Sequence, residues 1–327
     1  MKTLLGKNGN FYKANLHCHS TNSDGRMRVE DIKEAYKKQG YSVVAFTDHE
    51  HVIDNSHLTD GEFIAINACE IAIKEMPKNS TLINTNMRVV HLNFYAKDPE
   101  NLITPCYSSV YDHYLNDEIR DKVKHDGEYE RVYSSEGVSE IIAEAKRNGF
   151  IVSYNHPTWS LEDASRFCGY DGLFAIEIFN YGTYLMGLPD DEVAVDQMRR
   201  AGKKLWLTAC DDNHNKDADS FGGFVMIDAK ELRYASVISA LEAGDFYASC
   251  GPEIYSVERE GDEIFVKCSP AARISVISET RAAKTVFAET GESLCSASFK
   301  INEKNGAFRV RVTDSCGKRA FTQYFEY

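Results

Sequence analysis

The chain has little proline, little tryptophan and no long uninterrupted run of apolar residues. Its 327 residues include 7 prolines and 2 tryptophans. No apolar stretch approaches the roughly 18 residues that a membrane-crossing helix needs, and residues 1–10 lack the apolar core of a secretion signal. We therefore expect no membrane partner. A content of 43% hydrophobic and 27% charged residues is typical of a globular protein.

Paired cysteines are also missing. The nine cysteines are scattered singly, and none belongs to a CxxC motif. An odd number of isolated cysteines does not suit a disulfide framework. Reduced thiols are typical of the cytoplasm, and we expect a cytoplasmic location.

The chain has fewer basic than acidic residues. The 37 lysines and arginines face 50 aspartates and glutamates, which gives a formal net charge of -13. Such a surface repels the phosphate backbone that supplies most non-specific affinity for nucleic acids, so we expect no long nucleic acid as partner. A small anionic substrate remains compatible with this charge if metal ions hold it, because their local charge outweighs the global field. The sequence does not indicate an oligomeric state.

The first two thirds of the chain alternate between strand and helix patterns. Seven strands are predicted, at Asn15–His19, Ser42–Thr47, Phe63–Ala68, Val89–Tyr95, Phe150–Tyr154, Leu173–Phe179 and Leu205–Ala209. Four helices are predicted, at Val29–Gln39, Glu136–Arg147, Asp191–Ala201 and Glu231–Ala243. This alternation predicts an α/β fold with a parallel sheet. Seven strands suit a barrel-like arrangement, in which active sites collect at the C-terminal ends of the strands.

The pattern changes near Gly251. From Ile254 onward, short alternating segments separated by turn residues replace the helical patterns. We therefore divide the chain into a barrel-like α/β domain, residues 1–252, and a small antiparallel β domain, residues 253–327. The second domain is expected to be sandwich-like and to carry no metal ligand, since no histidine lies beyond His214.

The strongest local signal is the segment NLHCHSTNSDG at residues 15–25. On a strand, residues i and i+2 share a face, so His17 and His19 are expected to point the same way. Two imidazoles on one face form half of a metal site. Asp24 follows on a glycine-containing loop that can turn its carboxylate toward them. An isolated His-x-His pair would more often be two hydrogen-bonded polar residues.

Similar residues recur near the ends of the later predicted strands. They are Asp48-His49, Glu70, His91, His156 and the run Asp211-Asp212-Asn213-His214. Imidazoles together with carboxylates suit Zn, Mn or Fe. Nine candidate ligands are too many for one structural zinc ion, which takes four. Two to three divalent ions are therefore predicted as cofactors.

This ordered set of motifs resembles the PHP (polymerase and histidinol phosphatase) superfamily of metal-dependent phosphoesterases. The resemblance covers about residues 11–250 and implies a distorted (β/α)7 barrel with a trinuclear centre. It assigns His17, His19, Glu70 and Asp212 to the first metal. Glu70 would bridge to the second metal, which His91 and His156 complete, and Asp24, His49 and His214 would hold the third. Asp211 remains an alternative to Asp212, because the family pattern has a small residue before the ligand aspartate.

The function that follows is hydrolysis of a phosphoester, such as a small phosphomonoester or nucleotide, by a hydroxide bridging two metal ions. Glu70 would set the metal spacing, and the ion on His49 and His214 would stabilise the phosphate; these three residues are the catalytic candidates. Arg26, Asn180 and Lys216 are candidate substrate contacts, although ordinary loop polarity explains them equally well.

Two other functions remain open. An amidohydrolase-like enzyme would cleave C–N or C–O bonds on a similar scaffold, but it typically bridges its metals with a carboxylated lysine, and no lysine occupies a comparable strand end. A metal-stabilised binding module without catalysis would also use this ligand set.

Overall fold

The computed structural model describes residues 1–75, 87–112, 117–120 and 122–327. Within these ranges the chain has mixed α/β structure, as predicted. The strands are β1 (Lys2–Leu5), β2 (Phe11–Asn15), β3 (Tyr41–Phe46), β4 (Ile64–Lys74), β5 (Val89–Ala96), β6 (Ile103–Thr104), β7 (Lys124–His125), β8 (Phe150–Tyr154), β9 (Ala175–Asn180), β10 (Trp206–Cys210), β11 (Phe224–Asp228), β12 (Phe246–Ser249), β13 (Ile254–Glu260), β14 (Glu263–Ala271), β15 (Arg273–Ser278), β16 (Lys284–Phe287), β17 (Leu294–Lys300), β18 (Phe308–Thr313) and β19 (Arg319–Thr322). The helices are α1 (Val29–Lys38), α2 (Asp117–Arg120), α3 (Ser135–Arg147), α4 (Ala164–Phe167), α5 (Tyr181–Leu185), α6 (Glu192–Arg200) and α7 (Tyr234–Ala243).

Seven neighbouring strands of one thirteen-stranded sheet position the candidate site. Their order is β10-β9-β8-β5-β4-β3-β2. The runs β2-β3-β4 and β8-β9-β10 are parallel. Strand β5 is antiparallel to both of its neighbours, so the prediction of a parallel sheet is wrong at this strand. A strand parallel to β4 would need a crossover connection, which is usually a helix. Residues 75–88, which connect β4 to β5, carry no helical pattern, and this agrees with the antiparallel direction of β5. The seven strands appear here as part of a larger sheet, and their closure into a barrel stays a prediction.

Both faces of the central strands are covered by apolar side chains. On one face, Val44 and Phe46 of β3 pack against Ile32 and Tyr36 of α1. On the other face, residues of β3 and β4 belong to a cluster that includes Val237 and Leu241 of α7. Burial on both faces explains why these strands read as nearly continuous apolar runs in the sequence.

The long predicted helices are confirmed to within a few residues at each end. Helix α3 illustrates why: the Ser134 side chain accepts a hydrogen bond from the backbone N–H of Gly137, and Val138, Ile141 and Ile142 are buried. No described helix combines the length and the apolarity that crossing a bilayer requires.

The first motif lies beyond a strand rather than on one. Strand β2 ends at Asn15, so the prediction of a strand over Asn15–His19 is wrong. His17 and His19 follow it in a segment that runs beside the end of β10. The Asp212 N–H donates to the His17 carbonyl at 3.0 Å, and the His19 N–H donates to the Asn213 carbonyl at 3.0 Å. These two hydrogen bonds hold the segment in an extended conformation. Their partners lie nearly 200 residues away in the sequence, so the local sequence does not predict them.

The described chain after Gly251 contains strands β13–β19 and no α-helix. Strands β13, β14 and β17 form a second sheet, which β1 from the N-terminus completes. Strands β15, β16, β18 and β19 extend the large sheet through the pairing of β19 with β12. Apolar residues of both sheets, such as Val257, Val266, Ile274 and Val310, share one buried core. The division at residues 252 and 253 stays a prediction.

One side chain of the C-terminal region substitutes for a strand beside β10. The Gln323 Oε1 accepts from the Leu207 N–H at 2.6 Å, and the Gln323 Nε2 donates to the Leu207 carbonyl at 3.0 Å. The same Nε2 is 3.2 Å from the Phe246 carbonyl of β12. The side-chain amide therefore satisfies backbone groups of β10 that face no hydrogen-bonded strand there.

Charged residues also join α6 to the C-terminal strands. Arg309 is fully buried, and its Nη2 donates to Glu192 at 2.8 Å and to Asp196 at 3.1 Å. Arg311 donates to both oxygens of Glu192 at 2.8 and 2.9 Å. We call this set the junction cluster; its members are Asp190, Glu192, Asp196, Arg309, Arg311 and Arg319.

Candidate metal centre

Two imidazoles meet at the end of β2. The Nε2 atoms of His17 and His19 lie 3.2 Å apart, and both side chains are fully buried. The extended segment places them on one face, as the i, i+2 spacing predicts. The Asp212 Oδ1 is 3.2 Å from each of these nitrogens. Three potential ligand atoms from two chain segments therefore converge on one point.

Glu70 lies at the centre of the site. Its two carboxylate oxygens are 3.0–3.4 Å from histidine ring nitrogens. These nitrogens belong to His17, His19, His49, His91 and His156. The Asn155 Nδ2 also donates to the Glu70 Oε1 at 2.8 Å. A carboxylate with both oxygens among five imidazoles is arranged as a bridging ligand would be.

The strands around Glu70 differ from the prediction in a way that explains this position. Strand β4 continues to Lys74, so Glu70 lies inside the strand and not after it. Strand β5 runs antiparallel and pairs His91 with Ala72, two residues from Glu70. The reversal of β5 therefore brings His91, near the beginning of its strand, to the same rim as the ends of the parallel strands.

Asp211 and Asp212 have different surroundings. The Asp211 carboxylate accepts from the backbone N–H groups of residues 221–223, each at 2.8 Å, and from the Tyr36 hydroxyl at 2.7 Å. The Asp212 carboxylate instead faces the histidines. Of the two alternatives left open by the sequence, Asp212 is the one beside the cluster, and Asp211 holds the loop that follows.

A second part of the site surrounds Asp24. Its Oδ1 is 3.3 Å from the His214 Nε2 and 3.5 Å from the His49 Nε2, while its Oδ2 accepts from the Lys216 ammonium at 2.9 Å. The rings of His19 and His214 stack at 4.2 Å. His19 thus lies against Asp24, His49 and His214 as well as against His17 and Asp212.

The aspartate of the Asp48-His49 pair positions the loop of Asp24. The buried Asp48 carboxylate accepts from the Ser20 N–H at 2.8 Å and from the hydroxyls of Ser20 and Ser23, both at 2.7 Å. These bonds fix the turn between His19 and Asp24. Gly25 is required there, because a Cβ atom would lie 2.6 Å from the His19 carbonyl oxygen.

Sequence reasoning missed one buried carboxylate, Glu177 of β9. Its Oε1 is 2.7 Å from the His17 Nδ1, and its Oε2 accepts from the His156 N–H at 3.1 Å and from the Asn180 Nδ2 at 2.9 Å. A carboxylate on the outer nitrogen of an imidazole fixes its tautomer and orientation and raises its basicity as a ligand. The only signal in the sequence was a lone glutamate within the apolar run AIEIFN.

The three predicted substrate contacts lie in different surroundings. Lys216 lines the cleft beside Asp24. Asn180 is committed elsewhere: its Nδ2 donates to Glu177 and, at 3.2 Å, to Asp212, and its Oδ1 accepts from the Thr183 N–H. Arg26 is exposed and does not line the cleft. Asn180 therefore supports the cluster, and Arg26 lies outside it.

The electrostatics of the cluster favour a bound cation. Burial would lower the pKa of His17, but Asp212, Glu70 and Glu177 outweigh burial and raise that pKa well above its usual range. Burial and the neighbouring His19 ring lower the pKa of His49 well below its usual range, which leaves a neutral imidazole. The carboxylates thus attract positive charge, and among the described residues Lys216 is the one lysine or arginine lining the cleft.

The residues fit divalent metal ions. All nine predicted ligands come together, and most fall into three groups whose ligand atoms lie within 4.8 Å of one another. These groups are His19, Asp24, His49 and His214; His17, Glu70 and His156; and His17, His19 and Asp212. The buried His19 Nδ1 and Asp24 Oδ1 have no hydrogen-bond partner among the described residues. Buried polar atoms without partners are costly, and an ion between them would satisfy both.

The cluster opens into a cleft of about 400 Å³. Its lining includes seven of the nine candidate ligands together with Trp159, Leu185, Met186 and Lys216. A cleft of this size that combines apolar side chains with converging polar groups is typical of a small-molecule site.

Comparison with known proteins gives a family match and several distant structural similarities. Residues 15–152 match the family model for the PHP domain. A two-domain protein from Bacteroides vulgatus that contains a predicted PHP-like metal-dependent phosphoesterase is 14% identical, with a TM-score of 0.48 over 99% of this chain and 98% of that chain. A candidate metal-dependent phosphoesterase from Bifidobacterium adolescentis is 16% identical, with a TM-score of 0.39 over 64% of this chain and 90% of that chain.

An amidohydrolase from Chromobacterium violaceum, solved with bound sulfate and no metal, is also 16% identical, with a TM-score of 0.39 over 63% of this chain and 89% of that chain. Comparison with curated proteins gives no match. The family match runs from Asn15 into β8 and so includes six of the nine clustered residues. Over residues 15–152 the chain is therefore similar to the PHP domain, the family that its ordered motifs resemble.

Proposed function

We propose that the protein is a metal-dependent hydrolase that cleaves a small phosphoester. The observation that carries the proposal is the convergence of six imidazoles and three carboxylates at the base of a cleft of small-molecule size. Such a set binds two or three ions of Zn, Mn or Fe. The acidic surface of the chain argues for a small substrate over long nucleic acid.

The proposed ligands follow the three groups of converging atoms. His17, His19, Glu70 and Asp212 would hold one ion, and Glu70 with His91 and His156 a second. Asp24, His49 and His214 would hold a third, and the stacking of His19 on His214 supports a close connection between the first and third positions.

Metal ions bound there would polarise a phosphoryl oxygen and acidify a water molecule so that hydroxide exists near neutral pH. The chain contributes orientation and charge. Glu70 would take part in holding both inner ions, and Glu177 accepts from the His17 ring and keeps it in place. Lys216, at the cleft wall, supplies the positive charge that a phosphate oxygen requires. His49 and His214 lie beside Asp24, where a phosphate in the cleft would contact their ion.

An amidohydrolase-like reaction is less well supported. Such enzymes typically bridge their metals with a carboxylated lysine. The lysine nearest in sequence to Glu70 is Lys74, whose ammonium lies 5.4 Å from the centre of the Tyr111 ring. Lys216, which does line the cleft, is bonded to Asp24.

We further propose that the seven strands form a distorted (β/α)7 barrel and that residues 253–327 are a separate β domain. The two backbone hydrogen bonds between the segment after β2 and the segment after β10 support closure at the rim of the site. The buried core that the two C-terminal sheets share supports the domain division. A cytoplasmic location also remains a prediction, supported by nine cysteines that lie in the described ranges and are all free thiols.

Metal content is the first test. Protein purified without chelator should contain two to three ions of Zn, Mn or Fe per chain by elemental analysis. One ion or fewer per chain, with no recovery after addition of Mn²⁺, contradicts the proposal.

Activity is the second test. A panel of phosphomonoesters, nucleoside bisphosphates and amides is offered to the metal-loaded protein. We expect turnover of at least one phosphomonoester, loss of turnover in EDTA and recovery with metal. Turnover of amides alone would favour the amidohydrolase-like alternative, and a metal-loaded protein inactive on every member would favour a binding module.

A further inference from the structure

Apolar side chains are exposed beside the nine converging candidate ligands, which we call the metal cluster. Within the described ranges, fourteen large apolar residues are exposed, and six of these lie between residues 159 and 188. They are Trp159, Leu161, Tyr184, Leu185, Met186 and Leu188. Single exposed apolar residues are ordinary, whereas a concentration at one site commonly marks a binding surface.

Three of these residues line the same cleft as the candidate ligands. Trp159 is 38% exposed, Leu185 47% and Met186 66%. We call them the apolar wall. The Trp159 ring lies 5.4 Å from the His91 ring and 5.1 Å from the His156 ring, centre to centre. The apolar wall therefore begins in contact with the cluster and continues outward to the mouth of the cleft.

The local structure ties the apolar wall to the cluster. Asn180 caps helix α5 by accepting a hydrogen bond from the Thr183 N–H, and the same side chain donates to the Asp212 carboxylate. Leu185 ends that helix, and Met186 follows it. On the other side, Trp159 lies three residues after His156, whose carbonyl accepts from the Ser160 N–H at 3.1 Å. Both parts of the wall are thus fixed to residues that face the metal positions.

We propose that the apolar wall binds the alcohol portion of the substrate and selects phosphomonoesters whose alcohol carries a flat apolar group. The inference rests on the proposed phosphoesterase function and names its substrate class. A phosphoryl group near the ions and Lys216 leaves the rest of the ester to occupy the cleft toward Trp159, Leu185 and Met186. An aryl or similarly flat group there would cover apolar surface that is otherwise exposed to water.

A matched pair of substrates tests the preference. Ethyl phosphate and 2-phenylethyl phosphate have leaving alcohols of similar acidity and differ in the phenyl ring. We expect kcat/KM to be about tenfold or more higher for 2-phenylethyl phosphate, since a hydrophobic contact of this size changes specificity by roughly that factor. Equal values for both substrates in an active enzyme overturn the inference and leave the proposed function intact.

Substitutions locate the effect. The double variant Leu185→Ser, Met186→Ser should lower the ratio of the two kcat/KM values several-fold, because both side chains are removed from the wall. Trp159→Ala should lower the ratio further, but Trp159 contacts two candidate ligands, so the double variant is the decisive one. Phe287→Ser on β16 is the control, since it removes an equally exposed apolar side chain that does not line the cleft. The ratio of the two kcat/KM values in this variant should equal that of the wild type.

Binding without turnover separates this inference from the proposed function. The chain has two tryptophans, Trp159 and Trp206, so Trp206→Phe leaves Trp159 as the only indole reporter. In the Zn²⁺-loaded protein, we expect 2-phenylethylphosphonate to change Trp159 fluorescence at about tenfold lower concentration than ethylphosphonate. If the phenyl compound binds more tightly but the protein hydrolyses no phosphoester, the proposed function is contradicted, while the inference that the apolar wall binds a flat apolar group stands. Equal affinities, or no saturable change with either phosphonate, overturn the inference.

Discussion

Two clusters of buried charge lie in this chain, and they are neutralised in different ways. The junction cluster contains three guanidinium groups and three carboxylates, and its Arg309 side chain donates directly to Glu192 and Asp196. The metal cluster contains three carboxylates and six imidazoles, with Lys216 at its edge. The junction cluster supplies its own counter-charge through three arginines, whereas the metal cluster surrounds its carboxylates mainly with imidazoles, which can bind a metal ion.

The difference separates a structural arrangement from a functional one. In the junction cluster each carboxylate meets an arginine, which balances part of the cost of burying charge. In the metal cluster, buried His19 and Asp24 atoms have no hydrogen-bond partner among the described residues. Buried polar atoms without partners are unfavourable alone, and this arrangement becomes favourable when a cation binds. Four substitutions test this contrast.

The largest effect is expected for Glu70→Gln in the metal cluster. Glutamine keeps the size of the side chain and removes the negative charge that lies among five imidazoles. We expect kcat/KM on the best phosphomonoester to fall about 10²-fold or more, with less metal retained by elemental analysis. Glu62→Gln, an exposed change, is the control. Full activity in Glu70→Gln would remove Glu70 from the catalytic assignment.

Arg309→Met tests the junction cluster. The change leaves Glu192 and Asp196 with less counter-charge, although Arg311 and Arg319 remain beside Glu192. Because these two arginines remain, we expect a loss of about 2 kcal/mol in the free energy of unfolding, which is less than breaking a buried ion pair usually costs. Urea denaturation measures it, with the exposed Arg281→Met as control. Metal content should be unchanged, and loss of metal in Arg309→Met would mean that the two clusters are coupled.

Glu177→Gln tests the support behind the metal cluster. Glutamine keeps a hydrogen-bond acceptor for the His17 ring, and it removes the charge that raises the basicity of that imidazole. We expect metal affinity to fall about tenfold, measured by competition with a chromophoric chelator. A variant with the affinity of the wild type would show that the 2.7 Å contact of Glu177 with His17 orients the ring without tuning it.

The smallest effect concerns pH and Glu192. Burial would raise the pKa of the Glu192 carboxyl, but Arg309 and Arg311 outweigh burial and hold that pKa below its usual value of 4.5. A carboxyl whose pKa is lowered by folding stabilises the protein above the pKa of the unfolded chain, and this contribution is lost as the pH falls through the folded-state value. Glu192→Gln should therefore be less stable than the wild type by about 1 kcal/mol at pH 7.

The difference between Glu192→Gln and the wild type should shrink below about pH 4.5 in urea denaturation measured across pH. A constant difference from pH 7 to pH 3 would contradict the ionic account of the junction cluster.

The sequence predicted the residues of the metal cluster better than their backbone. All nine predicted side chains converge, because histidines and carboxylates in or beside apolar strand runs are conspicuous in the sequence. The strand carrying His17 and His19 was misplaced, since the pairing of that segment with Asp212 and Asn213 is a long-range contact. The direction of β5 was wrong because alternation of side chains is the same in parallel and antiparallel strands.

Supporting residues were harder to predict than ligands. Glu177 stands inside an apolar strand, where one glutamate carries no spacing pattern that pairs it with His17. Asn180 was expected to contact substrate. In the structure its side chain donates hydrogen bonds to Glu177 and Asp212, two residues that the local sequence does not connect with it. In the junction cluster, Arg309 and Glu192 are 117 residues apart and belong to regions of different pattern, so nothing local indicated their pairing.

Among the described strands, β10 and β12 share no backbone pairing, and the amide of Gln323 bridges them. Its oxygen accepts from the Leu207 N–H, and its nitrogen donates to the carbonyls of Leu207 and Phe246. All three residues are buried, so a shorter side chain at position 323 would leave backbone groups without partners and away from water. One side chain from the C-terminal region thus works as a single rung of a β-ladder between two strands of the N-terminal region.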